Sequence, residues 1–399
     1  RGDVADDQHP HKGGSHKIQK TVQPLRLGLH LCVTFHRQEQ AYYTDRVSRI
    51  PEWASFPLIA TPNTALEGLK TLIADRTGRR YVRLVGRGTS ALYVALRALV
   101  LGDGPGSAIL PDLICVSVLE AVLLAGLRPV FADVNADRFN PDSHSVGRVL
   151  GPDTRAVIAA HVFGCVTPPP EVEVPIIEDA VQGLGGSMHG RSVGCLGSIS
   201  VLSFHPTKMI PGFGGAVLTD DSNLWALIQR VSLEKAGEPY QTGVYAGVRP
   251  QLEAQRHRLL KDFEADPANI AAIRAGWERL SEEVEARNRK ARYLSQSLLE
   301  DPHLGLDLPT LYPGDAIWRY PFLAPSRAAA AWIHRRLQAA GLPGSRPYPS
   351  LSAIYDPQPA YQSPELASRL VNLWVDSGVS FVQLEAILAQ IRALPLMKG

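Results

Sequence analysis

A single lysine, Lys208, stands in "SFHPTKMIPGFGG", just past a short apolar run and just before a glycine pair. Such a lysine is either a surface charge or a partly buried amine. An amine that forms an imine must shed its proton near neutral pH, and burial or a neighbouring cation lowers its ordinary pKa of about 10.4. Ser203 and His205, immediately upstream, can hold an anionic group. Asp179 ends the apolar run of "IIEDAVQG", where a carboxylate is costly unless a cation meets it. A strand-end aspartate that caps the next turn would look the same. Earlier still, "GRGTSAL" (Gly86 to Leu92) runs directly into a helical pattern. Its glycines free the backbone, Thr89 or Ser90 can cap, and the first N–H groups of the helix can face an anion. An ordinary capped helix start reads identically, and the spacing fits neither a P-loop nor a G-x-G-x-x-G fingerprint.

Each piece is weak alone. In the order anion cradle, strand-end aspartate, strand-end lysine, they make up the parts of a pyridoxal 5'-phosphate enzyme. That cofactor needs a cup for its phosphate, a carboxylate on its protonated ring nitrogen so that the ring draws electrons, and a lysine amine for its aldehyde.

These side chains need a scaffold, and the chain from Leu66 supplies one. Short apolar runs recur at 108–110, 129–134, 156–160, 175–179, 199–204 and 216–219. Several are too short for helices and do not alternate, which predicts strands buried on both faces of a mostly parallel sheet. Helical patterns at 89–101 and 116–125 lie between some of them, so the fold class is α/β, with ligands expected at the carboxyl ends of the strands. After about Glu234 the character changes. A long charge-rich helix is predicted over 271–299, a strand over 317–323, and helices over 327–341 and 382–394. This pattern predicts a second, smaller α/β domain. The division read from the chain is an N-terminal extension at 1–50, partly disordered, then a large cofactor-binding domain at 51–240. A linker arm, the long helix and a small domain follow at 241–399.

Bulk properties exclude several functions. Hydrophobic residues make up 45% of the 399 and charged ones 20%, the ordinary range of a globular protein. A net charge of +2 with no basic cluster argues against nucleic acid as a partner. No run approaches the roughly 18 apolar residues of a membrane helix. Four cysteines with no C-x-x-C pair make a zinc site or a disulfide framework unexpected and fit a reducing compartment. The run at 25–35, broken by Arg26 and His30, lacks a cleavage signal, and a cytoplasmic location is the default expectation.

From about Leu66 to Leu394 the chain resembles the DegT/StrS family of sugar aminotransferases, within the fold-type I pyridoxal phosphate enzymes. "GTSAL" is similar to the family's G-T-x-A-L, "AGLRPVFADVNADRFNPD" to its "aGakPVFvDvdpdtfn", and "IIEDAVQGLGG" to its "iEDAAQ..G". "SFHPTKMIPGFGGAVLTDD" resembles its "SFhptKnlt.geGGavvTnd", and "AAHVFG" and "GLPGSRPYPSL" match two further elements in the right order. The resemblance implies a large domain with a mostly parallel central sheet plus a smaller C-terminal α/β domain. It implies that Gly88, Thr89, Ser90 and Ser203 hold the cofactor phosphate, with His205 beside them. Asp179 would sit on the ring nitrogen, Gln182 at the ring hydroxyl, and Lys208 would carry the cofactor. Related enzymes with histidine in place of that lysine perform dehydration, so lysine here favours transamination. The implied reactants are a small-molecule keto substrate (a keto-sugar, nucleotide keto-sugar or cyclitol ketone) and an amino-acid donor, glutamate or glutamine.

Three departures stand out. Cys115 occupies the place of an aromatic residue on one ring face, Val181 replaces a small alanine on the other, and the family's G-x-N-x-R element has no counterpart before Asn269. Arg258 or Lys261 are candidate substitutes for its contact. The altered ring faces leave elimination, decarboxylation or carbon–carbon bond chemistry as an alternative, and a non-catalytic regulatory homologue is a further one. The resemblance also implies a homodimer with a shared active site. The segment 234–261, with no clear element of its own, reads as an arm that brings Arg249, Arg256 or Arg258 to the neighbouring subunit, or else as a solvated insertion.

Overall fold

The computed structural model describes residues 62–395 apart from 236, 346–347 and 358–359. The expectations for residues 1–50, including the run at 25–35 and Cys32, lie outside the described residues. Among the described residues twelve strands are formed: β1 (Tyr81–Val85), β2 (Ser107–Pro111), β3 (Arg128–Ala132), β4 (Thr154–Ala160), β5 (Ile176–Asp179), β6 (Ser187–Met188), β7 (Arg191–Ser192), β8 (Ile199–Ser203), β9 (Gly215–Thr219), β10 (Arg319–Leu323), β11 (Gly344–Ser345) and β12 (Leu370–Trp374). Seven build the central sheet in the order β1-β9-β8-β5-β4-β2-β3. Every pairing from β8 to β3 is parallel, and β9 alone runs against its neighbours.

Helices cover both faces, which is why β2, β8 and β9 are buried along their whole length. Val201 and Val217 belong to the core beneath the Gly88–Asp103 helix, while their neighbours Leu202 and Leu218 join Leu69, Ile73 and Trp277 on the opposite face. That second layer comes from the Pro62–Thr77 helix and the long Pro267–Leu299 helix. The predicted long helix therefore begins four residues earlier than its pattern indicated, where Asp266 caps it by accepting from Ala268 N–H at 3.1 Å. β10, β12 and β11 form a separate antiparallel sheet.

Besides the two-residue strands β6, β7 and β11, two full strands escape the sequence pattern. β1 reads "YVRLV", with Arg83 breaking its apolar run, and β12 reads "LVNLW", with the polar Asn372 buried at its centre. Both owe their strand form to their partners: β1 to β9, β12 to β10 and β11.

One expectation is corrected outright. The segment 234–261 has elements of its own, a 3-10 turn at Gly243–Val248 and a helix at Arg249–Leu259. Tyr245, Val248, Leu252 and Leu259 are buried in the core of this same chain. The helix was hidden because its polar face dominates the text "RPQLEAQRHRL" and only two of its residues are buried.

A buried carboxylate latches the C-terminal part onto the end of β2. Asp112 accepts from Ser350 Oγ at 2.7 Å and Ser352 Oγ at 2.9 Å, and its carbonyl accepts from Leu351 N–H at 2.9 Å. Tyr348 and Pro349 are thereby held over the carboxyl ends of the central strands.

Candidate active site

A cavity of about 680 Å³ opens at those strand ends. Of the residues singled out from the sequence, Gly88, Thr89, Cys115, Asp179, Val181, Gln182, Ser203, His205 and Lys208 all line it. Strand register explains the convergence. Gly215 of β9 is opposite both Val85 of β1 and Ser203 of β8, so the chain leaving β1 and the chain leaving β8 emerge side by side. A Cβ on Gly215 would lie 2.6 Å from the Arg87 carbonyl, so only glycine lets that turn lean onto β9. A Cβ on Gly88 would lie 2.7 Å from Ser203 Cβ, which shows how closely the helix start meets that serine.

Ser90 is the exception. Its hydroxyl donates to the Leu259 carbonyl and accepts from Lys261 N–H at 3.4 Å, so it ties the 259–261 chain to the helix instead of facing the cavity. Sequence spacing had no means of separating Thr89 from Ser90, because the contacted chain lies about 170 residues away. Lys261 turns outward to Glu264 at 2.8 Å, whereas Arg258 lines the cavity. Arg249 and Arg256 pair with the nearby Glu238 and Glu253 at 3.6 and 3.3 Å.

Asp179 ends β5, beside β8, and is buried. Burial pushes its carboxyl pKa up, while the Val181 N–H bond of 3.1 Å and the charge of Lys208 act the other way. Behind it Glu178 is fully buried and fully used. Its oxygens accept from Gly194 N–H and Leu196 N–H, both at 2.8 Å, and from Ser200 Oγ at 2.7 Å. His161 Nε2 lies 3.2 Å from Oε1. Thr167 N–H donates to His161 Nδ1 at 3.3 Å, which leaves Nε2 as the protonated nitrogen. Burial alone would raise the Glu178 carboxyl, but the His161, Gly194 and Ser200 bonds bring it from 4.5 down to about 2. A depressed carboxyl stabilises the fold above its unfolded pKa, and that contribution is lost as pH falls toward about 2. Glu178→Gln should therefore lower the unfolding free energy at neutral pH by about 3 kcal/mol and flatten the acid limb of the stability profile. Urea titration at pH 7 and pH 3 measures both; equal stability of the two proteins at pH 7 would contradict it.

Lys208 follows β8 in the loop that returns as β9. Its Nζ lies 4.1 Å from the centroid of the Trp318 ring, an arrangement that attracts an ammonium. Trp318 Nε1 donates to the Thr207 carbonyl at 2.7 Å, which holds the indole under the lysine. Gln182 accepts from Phe163 N–H at 2.8 Å and donates to Tyr348 Oη at 3.3 Å, so it bridges the central sheet to the C-terminal part. Trp318 and Tyr348 were not anticipated as site residues; "RPYPSL" was recognised only as a matching element, and nothing marked Trp318. Burial pushes the Cys115 thiol up, against the pull of the Lys208 charge.

The donor set suits the expected cofactor. The Gly88–Asp103 helix has no side-chain cap at Arg87, and its first intrahelical bond runs from Ala91 N–H to the Arg87 carbonyl at 3.0 Å. The N–H groups of residues 88–90 precede that bond and, with Ser203 Oγ alongside, make a cradle for a phosphate. A buried carboxylate and a lysine amine stand on the same cavity wall.

Known proteins agree. The model of the DegT/DnrJ/EryC1/StrS aminotransferase family matches residues 61–391. The chain is 28% identical over 325 residues to a UDP-N-acetyl-3-dehydro-α-D-glucosamine 3-aminotransferase of Acidithiobacillus ferrooxidans, covering 79% of this chain and 80% of that one. It is 26% identical to a UDP-2-acetamido-2-deoxy-3-oxo-D-glucuronate aminotransferase of Pseudomonas aeruginosa, covering 82% and 84%. A crystal structure of a Brucella abortus aminotransferase of the same family superposes with a TM-score of 0.64 at 22% identity, over 89% of this chain and 96% of that one. A match of this extent, over a cavity that joins Lys208, Asp179 and an uncapped helix start, makes the chain a member of the DegT/DnrJ/EryC1/StrS family and a pyridoxal-phosphate-dependent aminotransferase.

Proposed function

We propose that the enzyme transfers an amino group from glutamate or glutamine to the ketone of a nucleotide-linked keto-sugar, in the cytoplasm. The observation that carries this reading is the convergence of Lys208 and Asp179 in one cavity with the Gly88 helix start. The names of the two curated relatives, both UDP-keto-sugar aminotransferases, support the acceptor class.

The bound cofactor supplies an electron sink for the carbon that loses its proton. Gly88, Thr89 and Ser203 would hold its phosphate, Asp179 would keep a proton on its ring nitrogen, and Gln182 would meet its ring hydroxyl. Cys115 and Val181 line the same cavity. Lys208 Nζ removes the proton from Cα of the donor and, in the second half of the cycle, delivers one to the former carbonyl carbon of the acceptor. Trp318 limits where that amine can go. The working unit is a homodimer with a shared site, and the chain divides near residue 240 into a large and a small domain.

Incubation with glutamate or glutamine and UDP-linked 3-keto-sugars should yield the amino sugar, seen by mass spectrometry. A product without the added nitrogen, or no donor half-reaction with either amino acid, would overturn the reading. Light scattering that shows a fully active monomer at micromolar concentration would overturn the shared site.

A further inference from the structure

The sequence "VSVLEAVLL" folds as the Val116–Leu124 helix and contains one charged residue, Glu120. It is only 7% exposed, yet it lines the cavity. Among the described residues it makes no hydrogen bond and no ion pair within 4.0 Å. A buried carboxyl is ordinarily paired, so a partnerless one on a cavity wall points to a ligand. Two further charged residues of the same cavity reach it through space. Arg87 immediately precedes the Gly88 helix start, and Arg258 lies in the last turn of the Arg249–Leu259 helix. Burial, followed by the Arg258 charge, lowers the Arg87 guanidinium, and Glu120 raises it. Cys115 also senses Glu120, and His205 and Lys208 line the same cavity.

We infer that Arg87 and Arg258 form a phosphate seat supplied by one chain, and that Glu120 takes up a proton when a phosphate dianion binds there. Charge balance gives the reason. Two guanidiniums and a neutral Glu120 match a dianion, whereas an ionised Glu120 leaves one negative charge in excess within a low-dielectric cavity. The state without ligand is poised for this, because burial pushes Glu120 up to about 7 against the pull of Arg258 and Arg87. Arg87 directly precedes Gly88, and Arg258 lines the same cavity as Gly88 and Ser203, so the phosphate of the cofactor is the source if the aminotransferase reading holds, and that assignment rests on the reading. The phosphate of a nucleotide-linked acceptor has the same chemistry and is the other source.

The test uses the full chain stripped of cofactor, with inorganic phosphate, pyridoxal 5'-phosphate and pyridoxal as probes, and the cofactor-loaded chain with UDP. Binding is followed by tryptophan fluorescence. Arg87→Ala and Arg258→Ala should each weaken phosphate and pyridoxal 5'-phosphate by at least ~10-fold while pyridoxal is unchanged. A loss confined to UDP would also support the seat and assign it to the acceptor. No loss for any phosphate-bearing probe would overturn it. The phosphate of pyridoxal 5'-phosphate is a monoester and mostly dianionic above about pH 6, so its affinity for the natural chain should fall toward ~10-fold per unit above about pH 7. Glu120→Gln should remove that slope and abolish the proton uptake seen by calorimetry in buffers of different ionisation enthalpy. Uptake that persists in Glu120→Gln would overturn the role of Glu120. Arginine-dependent phosphate binding in a chain that transfers no amino group would keep the seat and discard the aminotransferase reading.

Discussion

Lys208→Ala should abolish turnover, by at least ~10⁴-fold, the upper end of what a positioned acid–base group contributes. The same amine also carries the cofactor, so nothing else on the cavity wall duplicates both tasks. The fold should survive the change. Lys208 is half-buried, and the Trp318 indole beneath it is anchored independently by the Thr207 carbonyl at 2.7 Å. Circular dichroism and the urea midpoint should match those of the natural chain. Borohydride treatment of the cofactor-loaded natural protein should fix the cofactor on the peptide that contains Lys208. Labelling of another lysine, or turnover within tenfold of normal in Lys208→Ala, would contradict the assignment.

Asp179→Asn has the second largest expected effect, about 4 kcal/mol of barrier or ~10³-fold in turnover. Asparagine has the same shape and its oxygen can still accept from Val181 N–H, so position and fold are retained. What is lost is the negative charge that keeps a proton on the cofactor ring nitrogen. The cost should appear in kcat, with cofactor affinity changed far less, because the charge matters most when electrons flow into the ring. Steady-state kinetics alongside a cofactor titration separates the two quantities. Near-normal kcat would mean that the ring nitrogen does not depend on Asp179. Glu178 offers no substitute, since its oxygens already accept from Gly194, Leu196, Ser200 and His161.

Much of this site was legible in the chain because its information is local. The runs at 108–110, 156–160, 175–179 and 199–204 are too short and too apolar to be anything but buried strands, and they became β2, β4, β5 and β8. Lys208 and Asp179 could be singled out as candidates because each follows or ends such a run, and parallel strands deliver their carboxyl ends to one side of the sheet. Gly86 and Gly215 stand where backbones approach closely: a Cβ on them would lie 2.5 Å from the Asp262 carbonyl and 2.6 Å from the Arg87 carbonyl.

The rest depended on neighbours that no local pattern contains. Ser90 and Thr89 are adjacent in sequence, yet one hydroxyl is spent on the chain at 259–261 while the other residue lines the cavity. The 249–259 helix has too few apolar residues to announce itself, and it forms because Leu252 and Leu259 find the core of the large sheet. Arg83 obscured β1 and Asn372 obscured β12, since a polar residue inside a short apolar run looks like an interruption until its partner strand is known. Trp318 and Glu120 lie in no motif, and the motifs that contain Arg87 and Tyr348 assign neither residue a role. Trp318 reaches the site only because its indole meets the Thr207 carbonyl, 111 residues away, and Tyr348 only because Gln182 meets it across 166 residues. Sequence by itself determined most strands of the central sheet and the two candidate side chains, since a short apolar run and the residue that ends or follows it are close in the chain. Tertiary structure decided which side chains face them, because register across β8, β9 and β1, and the Asp112 latch on residues 350–352, are relations between distant segments.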